Sequence, residues 1–403
     1  MAIVRNIFPL ELLNKITKHL DLSALKRLMG SSEVLQKIIE RDPVIWKQHL
    51  KNKETVCSNG NYLAAVRSEC ILTQNWMRNI GNQINPVVHM PNVEITKITV
   101  YGDIVVISSN STCVYVVDKS LNHIRTLNKH KGCVWTFEYV NNVLVTGSTD
   151  RTAKIWDVFL GVCIKTLAEH TSTVRTLLIA EEYVITGSRD STIRVWCMKT
   201  GACKHVLAGH TGSIRDLARV PGKPYIISGS YDGSSILWNY KTGEGIKVLI
   251  KLPRRVYKVV SMGKLVAIAG MDHCLHVVTL EGKHVFSGCS QNGTIFQIKT
   301  DSEGHVYTFT VAGIFSKWSV KSAQQIYQVE TNVKGVDMYI INHLVVVGLG
   351  NKIDLFCKDT GRFIRTLAIM DMLYSMYCDN NMMVYGYKDN RVSKVAAIRF
   401  NLP

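Results

Sequence analysis

The stretch that decides the fold is HTSTVRTLLIAEEYVITGSRDSTIRVWC, which runs from His170 to Cys197. Similar copies flank it on both sides, and they begin at His130 and His210. The three histidines are 40 residues apart, an Asp follows each one, and a Trp stands six residues after each Asp. Short alternating apolar runs, split by Gly, Asn and Asp, lie between these marks and predict strands. A period of about 40 residues with four strands per unit predicts the blades of a β-propeller.

Each copy carries four side chains whose spacing is similar to that of WD repeats. In that family a His, a Ser or Thr, an Asp and a Trp form a hydrogen-bonded tetrad that stabilises the blade. A His–Asp pair near a hydroxyl could instead indicate a hydrolase triad, but three copies at one period favour the structural role. The remaining tetrad residues are Thr146, Asp150 and Trp156; Thr186, Asp190 and Trp196; and Ser228, Asp232 and Trp238.

Weaker copies extend the repeat in both directions. They are 105–118, 266–280, 306–320, 344–361 and 382–400. Together with the strong copies they give eight hairpins, so we expect a mainly β chain with eight blades favoured over seven. The last hairpin ends at Phe400 with no outer strand after it. We expect residues 84–91 (INPVVHMP) to supply that strand and to close the ring, which removes its open edges.

Residues 1–50 have a different, helical pattern. Apolar residues repeat at helical spacing, and a bundle of this size buries too little surface to be very stable alone. The stretch resembles an F-box in its opening Phe8-Pro9-x-Glu11-Leu12-Leu13, in its Leu-rich second helix and in its closing Trp46. The resemblance implies binding to a Skp-type adaptor that joins a cullin–RING ubiquitin ligase. The residues expected to contact the adaptor are Phe8, Pro9, Leu12, Leu13, Ile16, Leu20, Leu25 and Trp46.

The predicted domain order is therefore an F-box at 1–50, a helical linker at 51–85 and a WD-repeat β-propeller at 86–403. An alternative for residues 1–50 is a helical cap that packs only on its own propeller. The eleven cysteines include no Cys-x-x-Cys pair. They predict reduced thiols in the cytoplasm or nucleus and no metal site or other cofactor. No apolar run reaches the ~18–20 residues that span a membrane, and the opening residues predict no secretory signal.

The formal net charge of +17 raises the possibility of a nucleic-acid partner. The charge is spread along the chain, however, and its densest basic cluster is only Lys251, Arg254, Arg255 and Lys258. This distribution favours an anionic protein partner, or no special role of the charge, over nucleic acid, but the charge pattern alone does not decide between them.

The direction of the chain in a blade predicts which residues reach the top face of the propeller. The residue five after each His begins the innermost strand there, and the residue before each Asp lies in the turn between the second and third strands. These positions hold Trp135, Arg175 and Arg215, and Thr149, Arg189 and Tyr231; Arg151 follows the first Asp, and Phe296 and Asp337 take the strand positions in later blades. Converging guanidinium groups with planar forks match the oxygens of a phosphate.

The motifs HTSTVR, GSRD and the His-x-x-x-Ile-Arg of the next copy resemble the phosphodegron pocket of Archipelago-type (cell-division-control) F-box/WD-repeat receptors. The resemblance implies a substrate receptor of an SCF ubiquitin ligase without catalytic residues, which binds a phosphothreonine-proline peptide with a nearby acidic or second phosphorylated residue. Its pocket would contain Arg175, Arg189 and Arg215, with Trp135, Arg151, Ser172, Thr173 and Tyr231 as accessory residues. The alternatives are solvated rim charges and a WD-repeat scaffold or RNA-binding adaptor without a ligase role.

Overall fold

The computed structural model describes residues 75–77, 82–84, 89–91, 93–289 and 292–400. The predicted F-box at 1–50 and most of the predicted linker at 51–85 lie outside the described residues. Within the linker, residues 75–77 are helical. Residues 79–400 form one compact unit, and residues 75–77 belong to a separate one. No helix in the described part of the chain is long and apolar enough to cross a membrane.

The described residues of the compact unit form eight antiparallel sheets, which confirms the predicted eight blades. The strands nearest the amino terminus are β1 (Asn82–Ile84) and β2 (His89–Pro91). Blades one and two contain β3 (Ile95–Tyr101), β4 (Ile104–Ser109), β5 (Val114–Asp118) and β6 (His123–Leu127), and then β7 (Val134–Val140), β8 (Val143–Ser148), β9 (Ala153–Asp157) and β10 (Val162–Leu167). Blades three and four contain β11 (Val174–Ala180), β12 (Tyr183–Ser188), β13 (Ile193–Cys197) and β14 (Cys203–Leu207), and then β15 (Ile214–Arg219), β16 (Tyr225–Ser230), β17 (Ser234–Asn239) and β18 (Glu244–Lys251).

Blades five and six contain β19 (Val256–Met262), β20 (Leu265–Gly270), β21 (Cys274–Thr279) and β22 (His284–Cys289), and then β23 (Ile295–Thr300), β24 (His305–Thr310), β25 (Ile314–Ser319) and β26 (Gln324–Glu330). Blades seven and eight contain β27 (Gly335–Ile341), β28 (Leu344–Leu349), β29 (Lys352–Cys357) and β30 (Phe363–Ile369), and then β31 (Met372–Cys378), β32 (Met382–Asp389) and β33 (Val392–Arg399). The first strand of each blade contacts the first strand of the next, and β31 contacts β3, so the ring is closed.

The closing blade takes its outer strand from the other end of the repeat region, as the sequence predicts. Both β1 and β2 pair antiparallel with β33. In this register Ile84 lies opposite Ala397, and Pro91 lies opposite Val392. The predicted outer strand is thus two short strands on either side of residues 85–88. Pairing β33 on both edges leaves no open edge at the point where the ring closes.

Neighbouring blades pack closely because each strong repeat has a glycine in its second strand. A Cβ atom built on Gly187 would lie 2.7 Å from the side chain of Ile214, which opens the next blade. Gly147 faces Val174 at the same distance. These contacts are shorter than two carbon atoms tolerate, so only glycine lets successive blades approach this closely. The Gly-Ser-x-Asp pattern in the sequence therefore serves packing between blades as well as the turn.

The tetrads are hydrogen-bonded as the resemblance to WD repeats implies. In blade three, Nδ1 of His170 lies 2.7 Å from Oδ2 of Asp190. Oγ1 of Thr186 lies 2.8 Å from Nε2 of His170, and it accepts a hydrogen bond of 2.8 Å from Nε1 of Trp196. The copies that begin at His130 and His210 repeat this pattern. Both ring nitrogens of each histidine have partners inside the tetrad, so the hydrolase interpretation is not supported.

The expectation that every cysteine is a thiol is wrong for one pair. Cys274 and Cys289 form a disulfide between β21 and β22, where the two residues lie directly opposite each other. The sequence gives no sign of this pair, because a separation of 15 positions matches no Cys spacing of a metal or redox motif. The other described cysteines are free.

Candidate anion-binding site

A β-bulge near the start of every innermost strand determines which side chains reach the rim of the channel. It lies at the second residue in seven blades and at the third residue of β31. In blade three, Val174 pairs with Ser188 and Thr176 pairs with Gly187, so Arg175 is left without a partner on the neighbouring strand. A bulge of this kind bends the strand and redirects the side chain at the extra residue. The eight bulged residues are Thr96, Trp135, Arg175, Arg215, Tyr257, Phe296, Val336 and Tyr374.

The predicted strand positions are right for Phe296 and wrong for Asp337. In blade seven the bulged residue is Val336, and Asp337 is the next residue, which pairs with Gly348. The Asp337 carboxylate accepts a hydrogen bond of 2.6 Å from Nε2 of Gln297. The error arose because blade seven has no histidine from which the position can be counted.

Backbone hydrogen bonds fix the turn that carries Arg189 beside the loop that leads to Arg175. The Arg189 N–H donates to the carbonyl of Thr173 at 2.9 Å, and Oγ of Ser188 donates to the carbonyl of Ser172 at 3.1 Å. The flanking blades have the same link, from Thr149 to Cys133 and from Tyr231 to Ser213. The innermost strand and the turn therefore meet on one face, as predicted.

Three arginines of blades three and four are close enough that the charges of Arg189 and Arg215 shift the pKa of Arg175. Burial lowers the pKa of Arg175, and the charges of Arg215 and Arg189 lower the pKa further. Among the described residues, no carboxylate forms an ion pair with any of the three. Arg175 and Arg215 are half-buried, whereas Arg189 is exposed. Neighbouring positive groups that no carboxylate of the described residues neutralises form a site that favours an anion.

Aromatic rings frame the arginines. The guanidinium carbon of Arg175 lies 5.5 Å from the centroid of a ring of Trp135, and that of Arg215 lies 5.6 Å from the ring of Tyr257. The rings of Tyr257 and Tyr231 lie 5.4 Å apart, and Arg255 stands over Tyr231 at 4.9 Å. Cations over aromatic faces at such distances attract the rings. The result is a continuous row of rings and guanidinium groups along one side of the rim.

Sequence reasoning missed Tyr257 and Arg255 as members of this row. Blade five lacks the tetrad histidine, so the rule of counting five residues from His could not reach Tyr257. The pair Val256-Tyr257 nevertheless aligns with Val174-Arg175 as the start of an innermost strand. Arg255 belongs to the basic cluster that the sequence marks, and its position over Tyr231 joins that cluster to the site.

The predicted accessory residues differ in how they relate to the three arginines. Ser172 and Thr173 are half-buried, and their hydroxyl groups form no hydrogen bond with the other described residues. Trp135 is 43% exposed, so its ring is accessible from solvent. Arg151 is exposed at a backbone φ of 71°, and its side chain forms no hydrogen bond or ion pair within the described part of the chain. Trp135 thus contacts Arg175 directly, and the backbone carbonyl of Thr173 accepts from Arg189. For Arg151 the predicted accessory role stays a prediction.

A cavity of about 360 Å³ opens beneath the arginines along the central channel, and its lining includes Arg175 and Arg215. Deeper in the cavity, the Asp216 carboxylate accepts hydrogen bonds from Nζ of Lys258 at 3.1 Å and from the backbone N–H of Val259 at 3.0 Å. Burial lowers the pKa of Lys97, which also lines the cavity, to about 8. The Nε atom of Arg215 is buried and has no hydrogen-bond partner among the described residues. The cavity thus has charged walls, and one of its lining residues keeps a donor without a partner in the described part of the chain.

Comparisons with known proteins agree with this architecture. The family described as WD domain, G-beta repeat matches residues 121–157, 161–197 and 201–239. Each match begins in the outer strand of one blade or in the turn before it, and ends in the third strand of the next blade. The computationally designed Ika8 protein has a similar fold, with a TM-score of 0.71 and 20% identity over 78% of this chain and 99% of that chain.

Two curated relatives match part of the chain. WD repeat-containing protein pop1 of Schizosaccharomyces pombe is 32% identical over 177 residues, which are 39% of this chain and 23% of the relative. Cell division control protein 4 of Saccharomyces cerevisiae is 29% identical over 179 residues, which are 38% of this chain and 23% of the relative. The match therefore spans less than a quarter of the length of either relative. Three stretches of the chain therefore match WD repeats, and the described residues form an eight-bladed β-propeller.

Proposed function

We propose that this protein is a substrate receptor of a ubiquitin ligase that binds phosphorylated proteins on the top face of its propeller. The observation that carries the proposal is the set of Arg175, Arg189 and Arg215, in which the charges of Arg215 and Arg189 help to lower the pKa of Arg175 and no carboxylate of the described residues forms an ion pair with any of the three. The similarity of part of the chain to cell division control protein 4 supports it, as does the resemblance of the motifs to phosphodegron receptors.

A phosphate has the charge and shape that this site would need. At neutral pH it carries a charge of about −1.5 to −2 and offers three acceptor oxygens. Each guanidinium presents a planar fork of donors that fits two of those oxygens, and a hydrogen bond to a charged group contributes about 1.5–3 kcal/mol. The hydroxyl groups of Ser172 and Thr173 would add donors at the edge of the site. An unphosphorylated Ser or Thr offers neither the charge nor the oxygens, so the site would discriminate strongly between the two.

The ligase role rests on the amino-terminal sequence. The resemblance of residues 1–50 to an F-box supports docking to a Skp-type adaptor and a cullin–RING ligase, and the receptor would need no catalytic residue of its own. Residence in the cytoplasm or nucleus is part of the same proposal. The double substitution Leu12→Asp with Ile16→Asp tests the docking, because burying an unpaired carboxylate costs several kcal/mol. Co-purification with the adaptor and the cullin should be lost, while binding of phosphorylated targets through the propeller should persist.

Affinity purification with mass spectrometry tests the whole proposal at once. The wild-type chain and the Arg175→Ala variant should be purified from matched lysates with and without phosphatase treatment. We expect adaptor and cullin in all four samples, and a set of target proteins that is lost both with phosphatase and with the variant. Retention of the same targets in all four samples would contradict phosphate recognition. Absence of the adaptor from every sample would contradict the ligase role.

The second candidate is an RNA-binding adaptor, and the row of rings and guanidinium groups is the observation that favours it. Aromatic side chains stack on bases, and arginine adds attraction to the phosphate backbone. Treatment of the same lysates with ribonuclease separates the two candidates. The phosphoprotein receptor keeps its partners after ribonuclease treatment, whereas an RNA-binding adaptor loses them.

A further inference from the structure

Blade five contains a group of side chains that the tetrad does not explain. Asp272 lies where the strong repeats have the Asp of the tetrad, but the other three tetrad positions hold residues that cannot form the tetrad. Ile268 lies four residues before this Asp, Val278 lies six residues after it, and the loop before β19 has no histidine. Instead, Oδ2 of Asp272 lies 2.6 Å from Nε2 of His276, which is in the third strand of the same blade. This pair has no structural equivalent in the tetrads.

The register of β21 and β22 places the sulfur atoms of two cysteines on the same face of the sheet as His276. Cys274 and His276 are two residues apart on β21, so their side chains point to one face of the sheet. Cys289 lies directly opposite Cys274, and Ser287 lies opposite His276, so these side chains share that face. The ligand atoms of Asp272, Cys274 and His276 all lie within 4.8 Å of one another, and Cys289 is covalently joined to Cys274.

We propose that Cys274, Cys289, His276 and Asp272 form a zinc(II) site when the disulfide is reduced. Two thiolates, one imidazole and one carboxylate are a ligand set that zinc takes in tetrahedral geometry, with bonds of about 2.0–2.3 Å. Tetrahedral bonds to sulfur place the two sulfur atoms about 3.8 Å apart. Two reduced cysteines in directly opposite positions reach that separation by a small side-chain rotation.

A second hydrogen bond prepares His276 for this role. Its Nδ1 atom lies 2.7 Å from Oγ of Ser287, which also lies 2.8 Å from Nε2 of His284. A metal-binding histidine usually has a partner on its other ring nitrogen, which fixes the orientation of the ring. Here that arrangement directs Nε2 of His276 toward Asp272, and the metal would lie between these two groups. The side chains of Asp272 and His276 are mostly buried, whereas Cys289 is exposed and leaves the site accessible to the ion.

Reduction of the disulfide and binding of zinc are two separate steps, and each step balances in atoms and electrons. Two molecules of a small thiol reductant, of the glutathione class, supply two electrons and two protons, so the bond between Cys274 and Cys289 breaks and a disulfide forms between the two reductant molecules. Zinc then displaces the protons of both cysteines, which are released to solvent, because only the thiolate binds the metal. The disulfide and the metal site are therefore mutually exclusive states of one hairpin.

Cobalt(II) titration of the full-length protein tests the proposal, because cobalt bound to thiolates in a tetrahedral site has a charge-transfer band and intense visible bands. One sample is oxidised, and the other is reduced with a phosphine and desalted without oxygen. We expect the reduced protein to bind one more equivalent of cobalt than the oxidised protein, with the thiolate band, and zinc to displace it. This comparison uses only the wild-type chain and does not depend on how a variant folds.

Variants assign the ligands. His276→Ala and Cys289→Ser should each weaken cobalt binding more than Ser287→Ala, for which loss of a supporting hydrogen bond predicts a weakening of about 10–100-fold. His305→Ala is the matched control, since His305 lies in a separate group with Asp301 and Glu303, and it should bind cobalt at this site like the wild type. Equal cobalt uptake by the oxidised and reduced chains, or wild-type affinity in His276→Ala, would overturn the proposal.

Discussion

The guanidinium of Arg175 lies over the indole of Trp135, with 5.5 Å between its central carbon and a ring centroid. Both residues occupy the bulged position of their strands, in neighbouring blades. The bulge therefore turns a cation and an aromatic ring, which are 40 residues apart in sequence, toward each other at the rim of the channel. The indole limits the positions of the guanidinium and leaves part of its fork free for a ligand.

Trp135→Ala should weaken binding of a phosphothreonine peptide moderately. A cation–π contact at an exposed site contributes about 0.5–1 kcal/mol, which corresponds to a loss of about two- to fivefold in affinity. Trp135→Phe should retain part of the affinity. Because the indole is 43% exposed, the urea midpoint of the variant should stay close to that of the wild type. Wild-type affinity in Trp135→Ala would show that the ring does not position Arg175.

The tetrads should contribute more to stability than any rim residue. Thr186→Val keeps the shape of the side chain but leaves His170 Nε2 and Trp196 Nε1 without their shared partner. Each buried polar group left unsatisfied costs about 1–3 kcal/mol. Thr308→Val is the matched control, since Oγ1 of Thr308 accepts a hydrogen bond of 3.0 Å from Nε1 of Trp318 and has no histidine partner among the described residues. Urea unfolding should show a larger loss for Thr186→Val than for Thr308→Val, and equal losses would contradict the role of the histidine.

Stability should fall as the pH drops below neutrality because of the tetrad of blade four. Burial lowers the pKa of His210 from its ordinary value of 6.5, against the opposing effect of Asp232. The unfolded chain therefore binds more protons than the folded chain below about pH 6.5, and acid shifts the equilibrium toward unfolding. Urea midpoints measured between about pH 7.5 and about pH 5.5 should decrease. His210→Gln should be less stable throughout but should show a shallower decrease, and an unchanged slope in this variant would contradict the assignment.

Ring closure by β1 and β2 should be required for cooperative folding. A chain that begins at residue 94 lacks both strands and leaves one edge of β33 open to water and to other molecules. It should aggregate or unfold over a broad range of urea, whereas a chain that begins at residue 78 should unfold in one step. Identical unfolding of the two chains would show that the pairing of β33 with residues 82–84 and 89–91 is dispensable.

The sequence predicted the blades well because the tetrad repeats at a fixed period. Thr186 and Trp196 fall at the same spacing in three copies, and each contact depends on residues within one blade. The rim was harder to predict, since the position of a side chain there depends on a bulge that no residue type marks. Tyr257 was missed and Asp337 was misplaced for this reason, in blades without the histidine that sets the register. The disulfide of Cys274 was also beyond sequence reasoning, because cross-strand pairing depends on the length of the hairpin loop.

We propose that Arg175, Arg189 and Arg215 together hold one phosphate of a target protein. Removing one of three charged donors should cost about 1.4 kcal/mol or more, which is a tenfold loss of affinity. Arg→Lys at the same positions should restore only part of it, since a point charge lacks the planar fork. Binding should also weaken as salt rises and as the pH falls below the second pKa of the phosphate, which is about 6.

The most direct measurement is a titration of a phosphothreonine-proline peptide and its unphosphorylated twin against the wild type and the three Arg→Ala variants. Urea unfolding should be recorded in parallel, to show that substitutions at the rim leave stability nearly unchanged. We expect that only the phosphorylated peptide binds the wild type strongly and that each variant binds it about tenfold or more weakly. Equal affinity of the wild type for both peptides, or variants that bind the phosphorylated peptide as the wild type does, would rule out a phosphate held by these three arginines.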